Sequence, residues 1–228
     1  TLASVPPILD QDAAWYRKIG TESSPGTAIF SVVGDVVHPG LVEIPMGVSL
    51  KGLIFDICGG ISNKKRFKAV QIGGPSGGCL PEDFLETPID FDSLLEAGAM
   101  MGSGGMVVMD EETCMVDVAR YFLDFTQKES CGKCTFCRIG TRQLLGILVR
   151  ITQGEGRPED LDVLEELSRD VQAGSLCGLG KTAPNPILTS LRYFRDEYEA
   201  HIHEKRCPAL TCRALIAYYI DLEKCARG

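Results

Sequence analysis

The sequence predicts an α+β fold, a compact unit of strands and turns of the β-grasp kind followed by a four-helix bundle. Up to about residue 110 the apolar residues come in short β-branched runs punctuated by Gly and Pro. Beyond that point they recur at i, i+3, i+4 and i+7, the period of a helix with one buried face. The chain also holds 10 cysteines, most of them in the helical part, where metal-ligand spacings occur.

Residues 1–26 show neither period and read as a linker. Ala28 to Val33 and Leu41 to Ile44 read as strands, and the Pro39-Gly40 dipeptide between them makes the pair a hairpin. Ser49 to Asp56 reads as a short helix ended by Gly59-Gly60. Lys68 to Ile72 and Met106 to Met109 supply further strands and complete a unit over 27–110. Two glycine-rich stretches, Gly73 to Gly78 and Gly102 to Gly105, lack the strand-to-helix context of a phosphate cradle and read as turns. Over 111–206 the first stripe is Met115, Val118, Ala119, Phe122 and Leu123. Leu144, Leu145, Leu148 and Ile151 form the second, and Leu161, Leu164, Leu167 and Val171 the third. A fourth helix starts at Asn185 as N-cap with Pro186 at the first helical position, and runs through Leu188, Leu191, Tyr193 and Phe194 toward Ile202. Stripes joined by short connections make a bundle. The segment 207–228 carries a last short helix, Arg213 to Ile220.

The charge balance, 23 Lys and Arg against 31 Asp and Glu for a net −8, argues against nucleic-acid binding, which rests on neutralising phosphates. No apolar run reaches the length of a membrane span, so direct membrane insertion is not expected. The N-terminal stretch has neither the basic nor the apolar region of a signal peptide. A reducing, cytoplasmic setting follows, in which cysteines serve metal or redox roles rather than disulfides. The chain opens without Met and reads as a piece of a longer protein.

Cys131-Gly132-Lys133-Cys134-Thr135-Phe136-Cys137 places three thiols at successive x₂ spacing. That pattern suits three corners of a 4Fe–4S cubane, which needs four thiolates. Cys177, in the glycine-flanked Ser175-Leu176-Cys177-Gly178, is the candidate fourth ligand, since glycine lets the backbone approach a cluster closely. Zinc is the competing reading, though two C-x₂-C pairs are more usual there. A second group, Cys207 and Cys212 at x₄ spacing with His201 and His203 upstream and Cys114 far back, could supply the Cys₃His set of a tetrahedral zinc site. The alternative for Cys114 is a plain buried hydrophobe. Cys58 and Cys79 have no partner at metal spacing and read as core or surface thiols.

The segments ESCGKCTFCRIGT and SLCGLGKTAPNPILTSLRYFRDEYEAHI closely resemble the NADH-binding flavoprotein subunit of respiratory complex I, and still more the β subunit of electron-bifurcating or NAD(P)-reducing iron–iron hydrogenases. GDVVHPGLVEIPMG and QIGGPSGGCLP resemble that family's SLBB domain, a soluble-ligand-binding β-grasp. The resemblance implies that Cys131, Cys134, Cys137 and Cys177 ligate a 4Fe–4S cluster taking electrons from FMN. It implies zinc at Cys114, His201, Cys207 and Cys212, with His201 favoured over His203 because it lies in the shared EAHI segment. It makes 1–26 the tail of the FMN- and NADH-binding domain, with Thr1 in the flavin's vicinity, and Cys225 the first ligand of a following ferredoxin domain. The family's glycine-rich FMN loop is not in this sequence, so FMN and NAD(P)H are expected only in the full-length subunit. Implied partners are a thioredoxin-like 2Fe–2S subunit and a larger iron–sulfur or hydrogenase subunit. Lys133, Arg138 and Arg142 add positive charge near the cluster and are expected to raise its potential, or else are solvated surface charges. The function that follows is single-electron transfer between FMN and partner iron–sulfur centres. The alternatives are a zinc-stabilised scaffold without redox chemistry and an SLBB ligand-binding module.

Overall fold

A computed structural model describes residues 2–218, 220 and 225. Five strands, β1 (Thr27–Gly34), β2 (Gly40–Pro45), β3 (Phe67–Ile72), β4 (Gly78–Pro81) and β5 (Gly105–Asp110), form one sheet in the order β2-β1-β5-β3-β4. β1 and β2 are the predicted antiparallel hairpin, with Phe30 opposite Val42. The central pair β1 and β5 is parallel, Val32 opposite Met106, and β3 runs antiparallel to both β5 and β4.

Alternation along the strands sends Phe30, Val32, Ile44, Val70, Ile72, Leu80, Met106 and Val108 to one face, where all are buried. They pack with Leu50, Leu53 and Ile54, and with Leu94 of a short helix, α3 (Phe91–Glu96), that follows two brief N-terminal helices, α1 (Val5–Gln11) and α2 (Ala13–Arg17). Residues 50–57 are helical as predicted, but Gly52–Ile57 is wound with π spacing. The opposite face offers Ala69, Cys79 and Met109, which meet Met115 and Phe194 from the helical part.

The predicted stripes become α4 (Met115–Lys128), α5 (Thr141–Thr152) and α6 (Asp160–Gly174). Val116, Ala119 and Leu123 of α4 share a core with Leu144, Leu148 and Ile151 of α5 and Leu161, Leu164 and Val171 of α6. A short helix, α7 (Gly178–Thr182), precedes α8 (Asn185–Tyr193) and α9 (Arg195–His203), whose Ile187, Leu191, Tyr198 and Ile202 complete that core.

Several expectations need correction. The fourth helix is two, broken where Phe194 adopts φ −133° and ψ 37°. At that break Phe194 joins one packed cluster with Ala69, Cys79 and Met109 of the sheet. Pro184, not Asn185, holds the cap position. The Asn185 side chain instead donates to the Ser76 carbonyl (3.0 Å) and accepts from Gln172 Nε2 (2.8 Å), tying α8 to the β3–β4 turn and to α6. The stretch read as a turn is one up to Gly77, but its last residue, Gly78, opens a strand the pattern did not predict, β4, held by a bond from the Cys79 N–H to the Thr189 hydroxyl (3.0 Å) on α8. The expected helix from Arg213 to Ile220 is a single 3₁₀ turn, Arg213–Leu215, whose Leu215 enters the helical core; Tyr219 lies outside the described residues. No helix among the described residues is long and apolar enough to cross a membrane.

Candidate metal centres

The C-terminal end of α4 passes through Ser130 into the cysteine triplet. Cys137 lies on a π-wound turn, Phe136–Gly140, that leads straight into α5, and it is buried; Cys134 is half-buried and Cys131 exposed. The Thr141 hydroxyl donates to the Cys137 carbonyl (2.6 Å). Cys177 caps α7 from an extended conformation and is exposed. Two glycines allow the α6–α7 loop to close on the triplet: a Cβ on Gly174 would strike the Phe136 ring, and one on Gly180 would meet the Ser175 hydroxyl and stand 3.0 Å from the Cys137 Cβ.

The thiols sense one another. The Leu176 N–H, and after it the Cys137 N–H, hold the Cys134 thiol below its ordinary pKa. Burial pushes the Cys137 thiol up; the Ser130 hydroxyl opposes this, while the charges of Cys134, Cys177 and Cys131 add to it. Cys131, Cys134 and Cys177 thus lie near enough to Cys137 for their charges to act on it. Ser130 Oγ accepts the Gly132 N–H (3.3 Å) and lies 3.2 Å from the Cys137 sulfur, so its proton is free to point at sulfur. The Ser175 hydroxyl is buried beside Cys134 and has no well-formed hydrogen bond among the described residues. A thiolate or sulfide sulfur is the acceptor it lacks, which fits an iron–sulfur cluster held by this set. Neither serine was singled out from the sequence, although each lies within two residues of a motif cysteine. Lys133, Arg138 and Arg142 are exposed, where water and salt weaken their field on the sulfurs.

Thiol chemistry should report this arrangement. In the metal-free chain at neutral pH, a maleimide is expected to label Cys131, Cys134, Cys177 and the exposed Cys225 rapidly. Cys79, pushed up to about 12 by burial, and the buried Cys58 should react only on unfolding. Loading with iron and sulfide should protect the first three and leave Cys225 reactive, as read by peptide mass spectrometry. Continued labelling of Cys177 in the loaded protein would remove it from the ligand set.

The second group is drawn together across the fold. Cys114 precedes α4, His201 sits on the last turn of α9, and Cys207 and Cys212 flank the turn beyond it. All four are buried, with ligand atoms within 4.8 Å of one another. Cys114 Sγ is 3.4 Å from His201 Nε2 and 3.8 Å from Cys212 Sγ, and Nε2 is 3.4 Å from Cys212 Sγ. Metal–ligand bonds of about 2.3 Å to sulfur and 2.0–2.1 Å to nitrogen at tetrahedral angles give ligand separations of about 3.5–3.8 Å. Cys114, His201 and Cys212 thus stand close to where a single tetrahedral ion would hold them, with the Cys207 sulfur within 4.8 Å of each, and the set is too tight to reach separate irons of a cubane. His203 is exposed and takes no part. Burial works against a charged His201, but the bond to Cys114, that residue's charge and the Glu197 carbonyl overcome it and raise the pKa to about 9. Thr1, the residue placed near a flavin, lies outside the described residues.

A family profile described as the NADH-ubiquinone oxidoreductase-F iron-sulfur binding region matches residues 117–201. The NADP-reducing hydrogenase subunit HndC of Solidesulfovibrio fructosivorans is 53% identical over 225 residues, covering 99% of this chain and 46% of the relative. The second F-type subunit of the NADH-quinone oxidoreductase of Rhizobium meliloti (strain 1021) is 45% identical over 208 residues, covering 91% of this chain and 49% of its own length. Among solved structures, an NAD⁺-reducing NiFe hydrogenase in its H₂-reduced state aligns with a TM-score of 0.80 at 34% identity, covering 89% of this chain and 34% of that one. The chain spans about half the length of the curated relatives it matches. Residues 117–201 thus belong to the F-type iron–sulfur binding family, and the chain around them is a homologue of the F-type subunits of NADH-quinone oxidoreductase and of the NADP-reducing hydrogenase subunit.

Proposed function

We propose that the chain is the electron-transferring part of an NAD(P)H-linked oxidoreductase subunit, holding a 4Fe–4S cluster on Cys131, Cys134, Cys137 and Cys177 and a zinc ion on Cys114, His201, Cys207 and Cys212. The observation that carries it is the close approach of the Cys177 loop to the triplet, where a Cβ on Gly180 would stand 3.0 Å from the Cys137 Cβ. When bound, the cluster supplies one-electron exchange to a chain with no such chemistry of its own. Cys137 and the Ser130 and Ser175 hydroxyls form its inner, water-poor side, where O–H donors to sulfur favour the more negative reduced state. Cys131 and Cys177 form its outer side, open to a partner.

In this reading electrons come from FMN, reduced by NAD(P)H in the half of the relatives' length that this chain does not span. They pass toward a thioredoxin-like 2Fe–2S subunit and a larger iron–sulfur or hydrogenase subunit. Likeness to subunits of hydrogenase and quinone-reductase assemblies supports such partners. The sheet order with its central parallel pair supports an SLBB-type β-grasp over 27–110, and the shared core of α4, α5, α6, α8 and α9 supports a bundle over 111–206. The residues before 27 are then the tail of the FMN domain, and 207–228 a zinc-tethered segment leading to a ferredoxin domain. Ten unpaired cysteines suit a cytoplasmic setting.

Anaerobic reconstitution of the purified chain tests this. About four irons and four sulfides per chain, with about one zinc, are expected, and reduction should bleach the visible absorption and give a spin-one-half EPR signal. Stoichiometric zinc with no labile sulfide would overturn the redox reading. The isolated chain is also expected to show no NADH:ferricyanide turnover. Its glycine stretches lie between β3 and β4 and ahead of β5, joining strand to strand or leading into one, and so offer no helix N-terminus to a phosphate. Measurable turnover would place a nucleotide site within these residues.

A further inference from the structure

Two charged residues beside the Cys114 group belong to neither set of metal ligands. Glu197, on α9, is 4% exposed, and its carboxylate is fully engaged. Oε2 accepts the Met115 N–H (3.0 Å) and Oε1 pairs with Lys68 Nζ (2.6 Å), a lysine that β3 brings from the sheet. The same Nζ donates to the Thr113 carbonyl (2.5 Å). Cys114 stands between Thr113 and Met115, so the pair grips the backbone on both sides of that cysteine. Glu197 reaches a second member of the group through its main chain: its carbonyl accepts from His201 Nδ1 (2.6 Å), which leaves Nε2 to face Cys114 and Cys212.

Taking two charges out of water costs more than their attraction returns unless further hydrogen bonds complete both. Here each charge has such a bond, and each bond ends on the peptide backbone flanking Cys114. An apolar pair would pack the same seam but could not fix that backbone.

We propose that Lys68 and Glu197 are a positioning pair for the metal held by Cys114, His201, Cys207 and Cys212. Through them the docking of the sheet on the helices sets the affinity of the site. The inference rests on the zinc reading above. Coupling of this kind is reciprocal: if seating Lys68 strengthens metal binding, metal binding must tighten the sheet against α9.

Zinc affinity of the full 228-residue chain, measured by competition with a chromophoric chelator, tests the pair. Lys68→Met and Glu197→Gln are each expected to weaken zinc about 10- to 100-fold, the usual effect of losing a group that orients a ligand. Lys68→Arg, which keeps the charge and donors, should recover most of the loss. Arg150→Met breaks a different half-buried ion pair, with Asp160, and should lower thermal stability without moving zinc affinity. Wild-type affinity in Lys68→Met and Glu197→Gln, with lowered melting temperatures, would reduce the pair to a structural contact and overturn the proposal. Should those variants fail to fold, hydrogen exchange on the unmodified chain decides. Adding zinc is expected to protect the amides of Thr113 to Met115 and of β3, and unchanged exchange in β3 would overturn the coupling. Failure of the unmodified chain to bind zinc at all would instead overturn the zinc reading, an outcome distinct from a pair that does not matter.

Discussion

Cys177→Ser is expected to leave the chain without a stable cubane. A hydroxyl is a hard, poorly ionised ligand where iron takes a soft thiolate, so iron and sulfide should fall from about four each per chain toward zero, or to a reshaped cluster with an altered EPR signal. Stability should fall as well. The proposed cluster would close the loop between the triplet and α7, and loop-closure entropy for a covalent cross-link of that span is worth on the order of 4 kcal/mol. In a chain of this size that corresponds to a melting temperature lower by roughly 8–16 °C. Zinc content should be unchanged, because Cys177 is not among the four donors gathered around Cys114.

Cys212→Ser is expected to do the reverse. Zinc should be lost while the iron signal remains. The loop from Cys114 to His201 is longer, 87 positions in sequence, and closing one of that size is worth about 4–5 kcal/mol. A comparable fall in melting temperature should follow. The 3₁₀ turn at Arg213–Leu215 should loosen with it, since Leu215 rests against Gly154 in the helical core next to the site. Exchange of the Leu215 amide, which bonds to the Cys212 carbonyl (2.8 Å), is a direct reporter. If Cys212→Ser lost iron and Cys177→Ser kept it, the cluster would be closed from the C-terminal segment and both assignments would be wrong.

How far these sites could be read from the chain alone depended on distance along it. The triplet and the hairpin announce themselves within about twenty residues, because x₂ spacing and two apolar runs across a short loop are local signals, although Gly40 opens β2 instead of turning the chain. The stripes of α4, α5 and α6 were equally legible, as each turns one apolar face to a common core. Strand β4 was not, since four residues between glycines and a proline carry no period; a hydroxyl on α8 and pairing with β3 hold it. The break at Phe194 was hidden because that residue fits the helical stripe, yet its ring is claimed by the sheet. No spacing rule links Cys114 to His201; the donor types alone allowed a Cys₃His set, and the resemblance favoured His201 over His203. Nothing in the sequence set Lys68 and Glu197 apart from the other charges, and only the folded chain brings the half-buried Lys68 and the buried Glu197 together beside Cys114.

The parallel pairing of β1 with β5 has a consequence for the order in which the protein can be made. β1 leaves the ribosome long before β5, and the hairpin of β1 and β2 must wait with one long edge of β1 unpaired and Phe30 and Val32 uncovered. Residues 105–110 then have to enter between β1 and β3, a non-local step of the kind that slows folding and leaves open edges to stray pairing. α4, α5 and α6 pack on near neighbours and wait less, although α8 must still return to α4 and to β4. Synthesis therefore passes through an interval in which the sheet is incomplete, and slowing translation once residues 105–110 have cleared the ribosome should raise the yield of folded chain by lengthening the time for β5 to insert.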